Sequence, residues 1–145
     1  MKTVERSALL PVTPGPVFDV VNDVASYPLF LPWCDASEIL ESSDTVMRAR
    51  LGIARGGLRQ SFVTLNRLQR PEQIDISLVE GPFRELKGVW RFQPLGDSGC
   101  KVSLKLTFEF DSRIAGMALG RVFEQAADRM VDAFSRRVME VCRHD

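Results

Sequence analysis

Few side chains in this chain are placed to do chemistry. The one histidine, His144, stands next to the C-terminus, where fraying is expected. That removes the usual base for a nucleophilic triad and the usual ligand for a catalytic zinc. The three cysteines, Cys34, Cys100 and Cys142, show no metal-type spacing and lack a base partner. Their odd number favours free thiols in a reducing compartment. No Gly-rich loop opens a helix with a Lys-Ser/Thr pair, so a P-loop phosphate cradle is not expected. Asp35, beside Trp33 and Cys34, is the carboxylate nearest to an apolar setting, and it reads equally as a solvated strand start. The residue types argue against an enzyme, with no catalytic residue, no metal site and no cofactor.

Two groupings remain. The first is electrostatic. Formal net charge is zero, yet residues 1–44 carry seven acids and two bases, while residues 45–71 carry six arginines and no acid. Arg48, Arg50, Arg55, Arg59, Arg67 and Arg70 either belong to a solvated sheet face or form a surface for an anionic partner such as RNA or lipid headgroups. The second is apolar. YPLFLPWC (27–34) is rich in large apolar and aromatic side chains and carries Pro28 and Pro32. Proline ends a helix and lacks the N–H of a central strand, so the stretch is expected to be a loop-like lid or a core plug.

The elements that must hold these groups follow from periodicity. TVERSALL reads as a strand. TPGPVFDVVNDV reads as a helix with Thr13 as N-cap and Pro14 first, its apolar side being Phe18, Val21 and Ala25. Ser26 can cap a short turn, SYPLF, that Pro32 ends. From Asp35 the period becomes two: Met47, Ala49, Leu51 and Ile53, then Ile74, Ile76 and Leu78, then Cys100 through Phe110 alternate with polar residues, as half-wet antiparallel strands do. Turn signals at 41–45, 54–57, 70–73, 81–82 and 94–99 make a meander. The last thirty residues return to the helical period, with Val122, Phe123, Ala126, Ala127, Met130, Phe134, Val138 and Val141 on one stripe. One helix from about Met117 to Arg143 would span roughly 40 Å at 1.5 Å per residue and needs a sheet to cover it. The class is α+β, one domain over 1–145. No signal peptide or membrane-length apolar run is evident, so a cytoplasmic location is expected, with the inner membrane as a peripheral surface.

NDVASYPLFLPWC (22–34), LVEGPFRELKGVWRF (78–92) and GRVFEQAADRMVDAFSRR (120–137) together resemble the coenzyme Q-binding START-domain family, in order and over essentially the whole chain. The resemblance implies a helix-grip (START/Bet v 1-like) fold: a curved antiparallel sheet of about seven strands around a long C-terminal helix, with a hydrophobic tunnel between them. The residues it assigns to lid and tunnel, with their apolar neighbours, are Tyr27, Phe30, Leu31, Trp33, Leu51, Phe62, Leu78, Phe83, Trp90, Val122, Phe123, Ala126 and Met130. Trp33 departs from members with a small residue there, and its indole narrows the entrance.

Two functions are implied. In the first, the chain is a non-enzymatic carrier or chaperone for ubiquinone or another polyprenyl lipid, as mitochondrial relatives are, supporting respiration. Each buried methylene contributes about 0.8 kcal/mol, so a modest tunnel can hold several isoprene units. Lys87, Arg84 and Tyr27 are the candidates to meet the quinone head. In the second, which bacterial relatives suggest, the chain binds the large ribosomal subunit and blocks its association with the small one, with the arginines on rRNA phosphates. No exposed stacking aromatics favour sequence-specific RNA reading, and no DNA partner is expected. Cyclase chemistry rests on fold analogy alone.

Overall fold

A single meander builds most of the structure, a computed structural model that describes residues 1–55, 57–111 and 116–142. In chain order the elements are β1 (Lys2–Leu10), α1 (Pro14–Asn22), a tight turn at Val24–Ser26, α2 (Tyr27–Phe30), β2 (Cys34–Ser42), β3 (Val46–Arg55), β4 (Leu58–Gln69), β5 (Gln73–Glu80), β6 (Phe83–Leu95), β7 (Gly99–Phe110), α3 (Gly116–Asp128) and α4 (Met130–Cys142). The seven strands form one sheet in the order β1-β7-β6-β5-β4-β3-β2, and every neighbouring pair is antiparallel. Short hairpin turns force that arrangement from β2 to β7. β1 returns to the free edge of β7, with Lys2 opposite Phe108 and Leu10 opposite Cys100.

The period-two pattern sets the two faces. Met47, Ala49, Leu51 and Ile53 on β3 are buried, as are Cys100, Val102, Leu104, Leu106 and Phe108 on β7. The same face of β6 presents Leu86, Trp90 and Phe92, all buried. A bulge between Phe83 and Glu85 resets the alternation, so Phe83 and Leu86, three apart, both turn inward. Gly81 makes the preceding turn possible. Its φ of +149° suits glycine, and a Cβ there would stand 2.5 Å from Phe62 Cβ. Pro82 beside it accepts a 2.8 Å hydrogen bond from Asp111 N and ties β6 to the end of β7.

Several local expectations need correction. The C-terminal helix is two helices, broken at Arg129, and Arg143 lies outside the described residues. Arg129 N bonds Ala126 O at 3.2 Å, one residue short of the α-helical spacing, and this tightened turn ends α3 before α4 begins. Neither proline nor glycine marks the break, so the pattern alone reads as continuous. Val141 is exposed, while Val131, absent from the expected stripe, is buried. Thr13 holds the cap position of α1 but makes no capping bond. Ser26 likewise does not cap α2; its hydroxyl donates to Asp23 Oδ2 at 2.6 Å. Ala25 is exposed because α1 has already ended at Asn22.

Two phenylalanines fasten the helices to the sheet. Phe123 on α3 meets Phe62, Phe83, Phe108 and Phe110, with ring centroids 4.9–6.1 Å apart. Phe134 on α4 meets Tyr27, Phe30 and Trp90, each at 5.2 Å and edge to face. Such pairs contribute about 0.5–1.5 kcal/mol beyond their area. Lys2 and Arg6 on β1 pair with Glu124 and Asp128, four apart on α3.

Candidate functional site

YPLFLPWC closes one side of the interior. Tyr27 to Phe30 is a single helical turn rather than a loop, and Pro32 stops it as expected. Tyr27 is buried and its hydroxyl donates to Val21 O at 2.5 Å. Burial, with the nearby Cys34 and Asp23, pushes the phenol well above its ordinary range. The Phe30 ring lies against Phe134, and the Arg137 guanidinium sits 5.2 Å from its centroid, a cation–π contact. Leu31 and Trp33 are 2% and 6% exposed, so both reach inward. Ala54 N donates to Trp33 O at 2.8 Å and Cys34 N to Leu31 O at 3.0 Å, which fixes the segment to β3.

Behind it lies an apolar cavity of about 60 Å³ between sheet and helices. Tyr27, Trp33, Leu51, Phe62, Trp90, Phe123 and Met130, all expected ligand contacts, line it. A neighbouring groove of about 250 Å³ runs between the α2 segment and the C-terminal helices, lined by Phe30, Leu31, Val122 and Ala126. Trp33 and Met130 line both spaces and so form the partition between them. Leu78 and Phe83 line neither: Leu78 is half-buried near Gly81, and Phe83 is spent in the aromatic cluster. Small-molecule pockets begin at about 300 Å³, so a ligand of any length must move the partition.

The head-group candidates fall elsewhere. Lys87 has the opposite parity to Leu86 and lies on the outer face, where it pairs with Glu85 at 3.2 Å. Arg84, at the bulge, is exposed. Tyr27 has its hydroxyl engaged with Val21. The polar residues that do face the cavity are Thr64 and Asn66 on β4, 4% and 9% exposed. Asn66 Oδ1 has no hydrogen-bond partner among the described residues. The signal for them was available: Phe62, Thr64, Asn66 and Leu68 share one strand face, and two polar residues interrupt an apolar one. Phe134, Val24 and Leu86 also line the cavity and were not singled out as site residues.

The arginine run is sewn to the acids that precede it. Glu38 stands opposite Arg50 and Glu41 opposite Arg48 in the β2–β3 register, at 2.8 and 3.8 Å. Arg59 of β4 pairs with Asp35 and so accounts for the carboxylate that looked closest to a general acid. Arg70 forks onto Asp19 of α1 at 2.8 and 2.9 Å. Arg67 is exposed, and the Arg55 side chain and His144 lie outside what the structure describes. The surface charge at 48–70 is therefore far smaller than the sequence count. A different basic face appears on the outer side of the sheet, where Lys87, Arg91, Lys101 and Lys105 border an open concavity of about 780 Å³ together with Glu5 and Asp75. Arg91 and Lys101 have no carboxylate within ion-pair distance among the described residues.

Among the described residues that line the cavity there is no cysteine, serine, histidine, lysine, aspartate or glutamate. Cys34 and Cys100 are buried, and burial pushes both thiols up, Cys34 to about 11. No cluster of three or more metal-ligating side chains is present among the described residues, and no described helix is long and apolar enough to cross a membrane.

A curved antiparallel sheet gripping C-terminal helices over an apolar cavity defines a START-like helix-grip protein. The chain belongs to the family described as polyketide cyclase/dehydrase and lipid transport, which it matches over residues 10–135. It is 49% identical over 138 residues to a ribosome association toxin RatA of Pseudomonas aeruginosa, covering 95% of this chain and 96% of that one. It is 30% identical over 126 residues to the mitochondrial coenzyme Q-binding protein COQ10 homolog B of Xenopus laevis, covering 83% of this chain and 51% of that one. Among solved structures it is similar to the Zhui aromatase/cyclase from Streptomyces sp. R1128 (TM-score 0.84, 21% identity, 99% of this chain and 96% of that one). It is also similar to a START superfamily protein from Mycobacterium smegmatis (TM-score 0.78, 19% identity, 96% and 98%). At those identities the structural likeness is one of fold.

Proposed function

We propose that this chain, acting as one domain in the cytoplasm, is a non-enzymatic binding protein for an apolar small molecule of the polyprenyl-quinone class. The observation that carries the reading is that Trp33 and Met130 line both the apolar cavity and the neighbouring groove and so stand between them. A ligand enters from the groove, displaces that wall and lies between sheet and helices, where its tail is removed from water. The lipid-transport description of the family and the COQ10 relative support it. Organic extraction of the purified protein followed by mass spectrometry tests it: a quinone or polyprenyl lipid should be recovered in near-stoichiometric amount. A protein that is empty and also takes up no added quinone overturns the reading.

A second reading is favoured by a separate observation: a relative matching almost end to end at 49% identity is named a ribosome association toxin. Under it the chain binds the large ribosomal subunit and prevents subunit joining. The outer sheet face, where Arg91 and Lys101 have no acid partner among the described residues, is the surface that suits rRNA phosphates. Added to ribosomes on a gradient, the protein should raise the free-subunit peaks, and the double variant Arg91→Glu/Lys101→Glu should not. Unchanged profiles with the native protein at low salt count against the ribosomal reading.

A further inference from the structure

Two polar side chains of β4, Thr64 and Asn66, interrupt the largely apolar and aromatic interior wall, and Asn66 is unsatisfied. Asn66 lies on β4 opposite Met47 of β3 and Ile76 of β5, so its amide has apolar neighbours on both flanking strands. The residue is 9% exposed and its Oδ1 meets no donor among the described residues. An enclosed amide carbonyl without a donor is costly, and a leucine of similar size would have filled the place without that cost. The backbone N–H groups around it are used by the ladders on both sides of β4. No donor reaches Oδ1 from the described residues, and a molecule that enters the cavity can supply one.

We propose that Asn66, with Thr64 beside it on the same strand face, is the polar recognition point of this site, and that the ligand presents a hydroxyl to Asn66 Oδ1. The chemical class is an apolar alcohol or phenol, which includes the hydroquinone form of a quinone. This rests on the ligand-binding reading above and adds to it a preference: a ligand whose oxygens carry protons over one whose oxygens only accept. Asn66 lines the cavity and not the groove, with Trp33 and Met130 shared between the two, so a head group bonded to it goes in first and the tail points back towards the groove. A donor that reaches Oδ1 there has no competing bulk water, which is where a single hydrogen bond discriminates most strongly between ligands.

The test is calorimetric titration, under argon, of the purified and delipidated protein with decylhydroquinone, its dimethyl ether and 1-decanol. The native protein should bind the hydroquinone at least ~10-fold more tightly than the dimethyl ether, the scale expected when a buried acceptor gains or lacks its donor. Asn66→Leu should weaken the hydroquinone until the two ligands differ by less than about twofold, leaving the ether unchanged. A parallel loss for 1-decanol assigns the site to alcohols at large, and no loss assigns it to phenols; both support the proposal. Equal affinity of the native protein for hydroquinone and ether overturns it while leaving ligand binding intact, the result expected if resident water alone satisfies Asn66. No binding of any of the three overturns both the inference and the reading beneath it. The native comparison needs no variant, so it stands even if Asn66→Leu folds poorly, and Asn66→Ala serves as the second substitution.

Discussion

Cys34 shows how far burial governs a single group here. Its thiol, which donates to Ala36 O at 3.3 Å, is pushed from the ordinary 9.0 up to about 11, chiefly by burial, with the adjacent Asp35 adding to it. The folded protein thus keeps this proton to higher pH than the unfolded chain does. The contribution to stability is whole below pH 9.0 and is lost as pH rises through about 11. Tyr27 shifts in the same direction and adds to the effect. Urea midpoints should hold steady to about pH 8.5 and then fall, and Cys34→Ala should flatten the first part of that fall. A flat profile in the native protein would show that neither proton is held by the fold. Asn66 gives the complementary case: because its carbonyl is unsatisfied, Asn66→Leu should melt at the same or a higher temperature than the native protein. A clear drop in melting temperature would mean that Oδ1 has a partner in solution.

At the scale of elements, Phe134 joins α4 to both the α2 turn and the sheet. It touches Tyr27 and Phe30 on one side and Trp90 on the other, and it is 2% exposed. Phe134→Ala should cost about 3–5 kcal/mol, read as a shift in urea midpoint at constant slope. A loss below about 1 kcal/mol would mean that α4 is held elsewhere. Trp33→Ala should cost a comparable amount but have a different second effect. Removing the partition joins the cavity to the groove, so ligand exchange should accelerate even as stability falls. The β2–β3 ion pairs act on a smaller scale. Their carboxylates are mostly exposed, and exposed pairs contribute about 0–1 kcal/mol each, so they set register and surface charge more than stability.

For the whole molecule, those pairs decide what an anionic partner meets. Glu38→Gln together with Glu41→Gln leaves Arg48 and Arg50 uncompensated, apart from the Arg50–Glu80 contact at 3.7 Å. The double variant should elute from heparin at distinctly higher salt than the native protein, with a melting temperature nearly unchanged. Identical elution would place the anion-binding surface elsewhere, and the outer sheet face of Arg91 and Lys101 is the alternative. The two proposed activities occupy opposite sides of one sheet, since the cavity faces the helices and the basic concavity faces away from them. Variants at Asn66 should therefore leave subunit profiles unaffected, and variants at Arg91 and Lys101 should leave quinone recovery unaffected.

The sequence by itself determined the order of elements and the two faces of the sheet, because hydrophobic period is a local property that burial merely reads out. Met47 through Ile53 and Cys100 through Phe108 turned inward as their alternation required. It also placed part of the apolar wall, since Tyr27, Leu31 and Trp33 of YPLFLPWC turned inward, although Leu29 is 74% exposed. Tertiary structure decided what depends on residues far apart in the chain. It joined the acids of 19–41 to Arg48, Arg50, Arg59 and Arg70 across β2, β3, β4 and α1, and so compensated much of a charge run that looked free. It broke the last helix at Arg129 and turned Lys87 away from the interior on the wrong parity of β6. It left Asn66 Oδ1 between Met47 and Ile76 without a donor from the described residues, a fact about what the neighbouring strands fail to offer that the polar interruption of β4 does not itself encode.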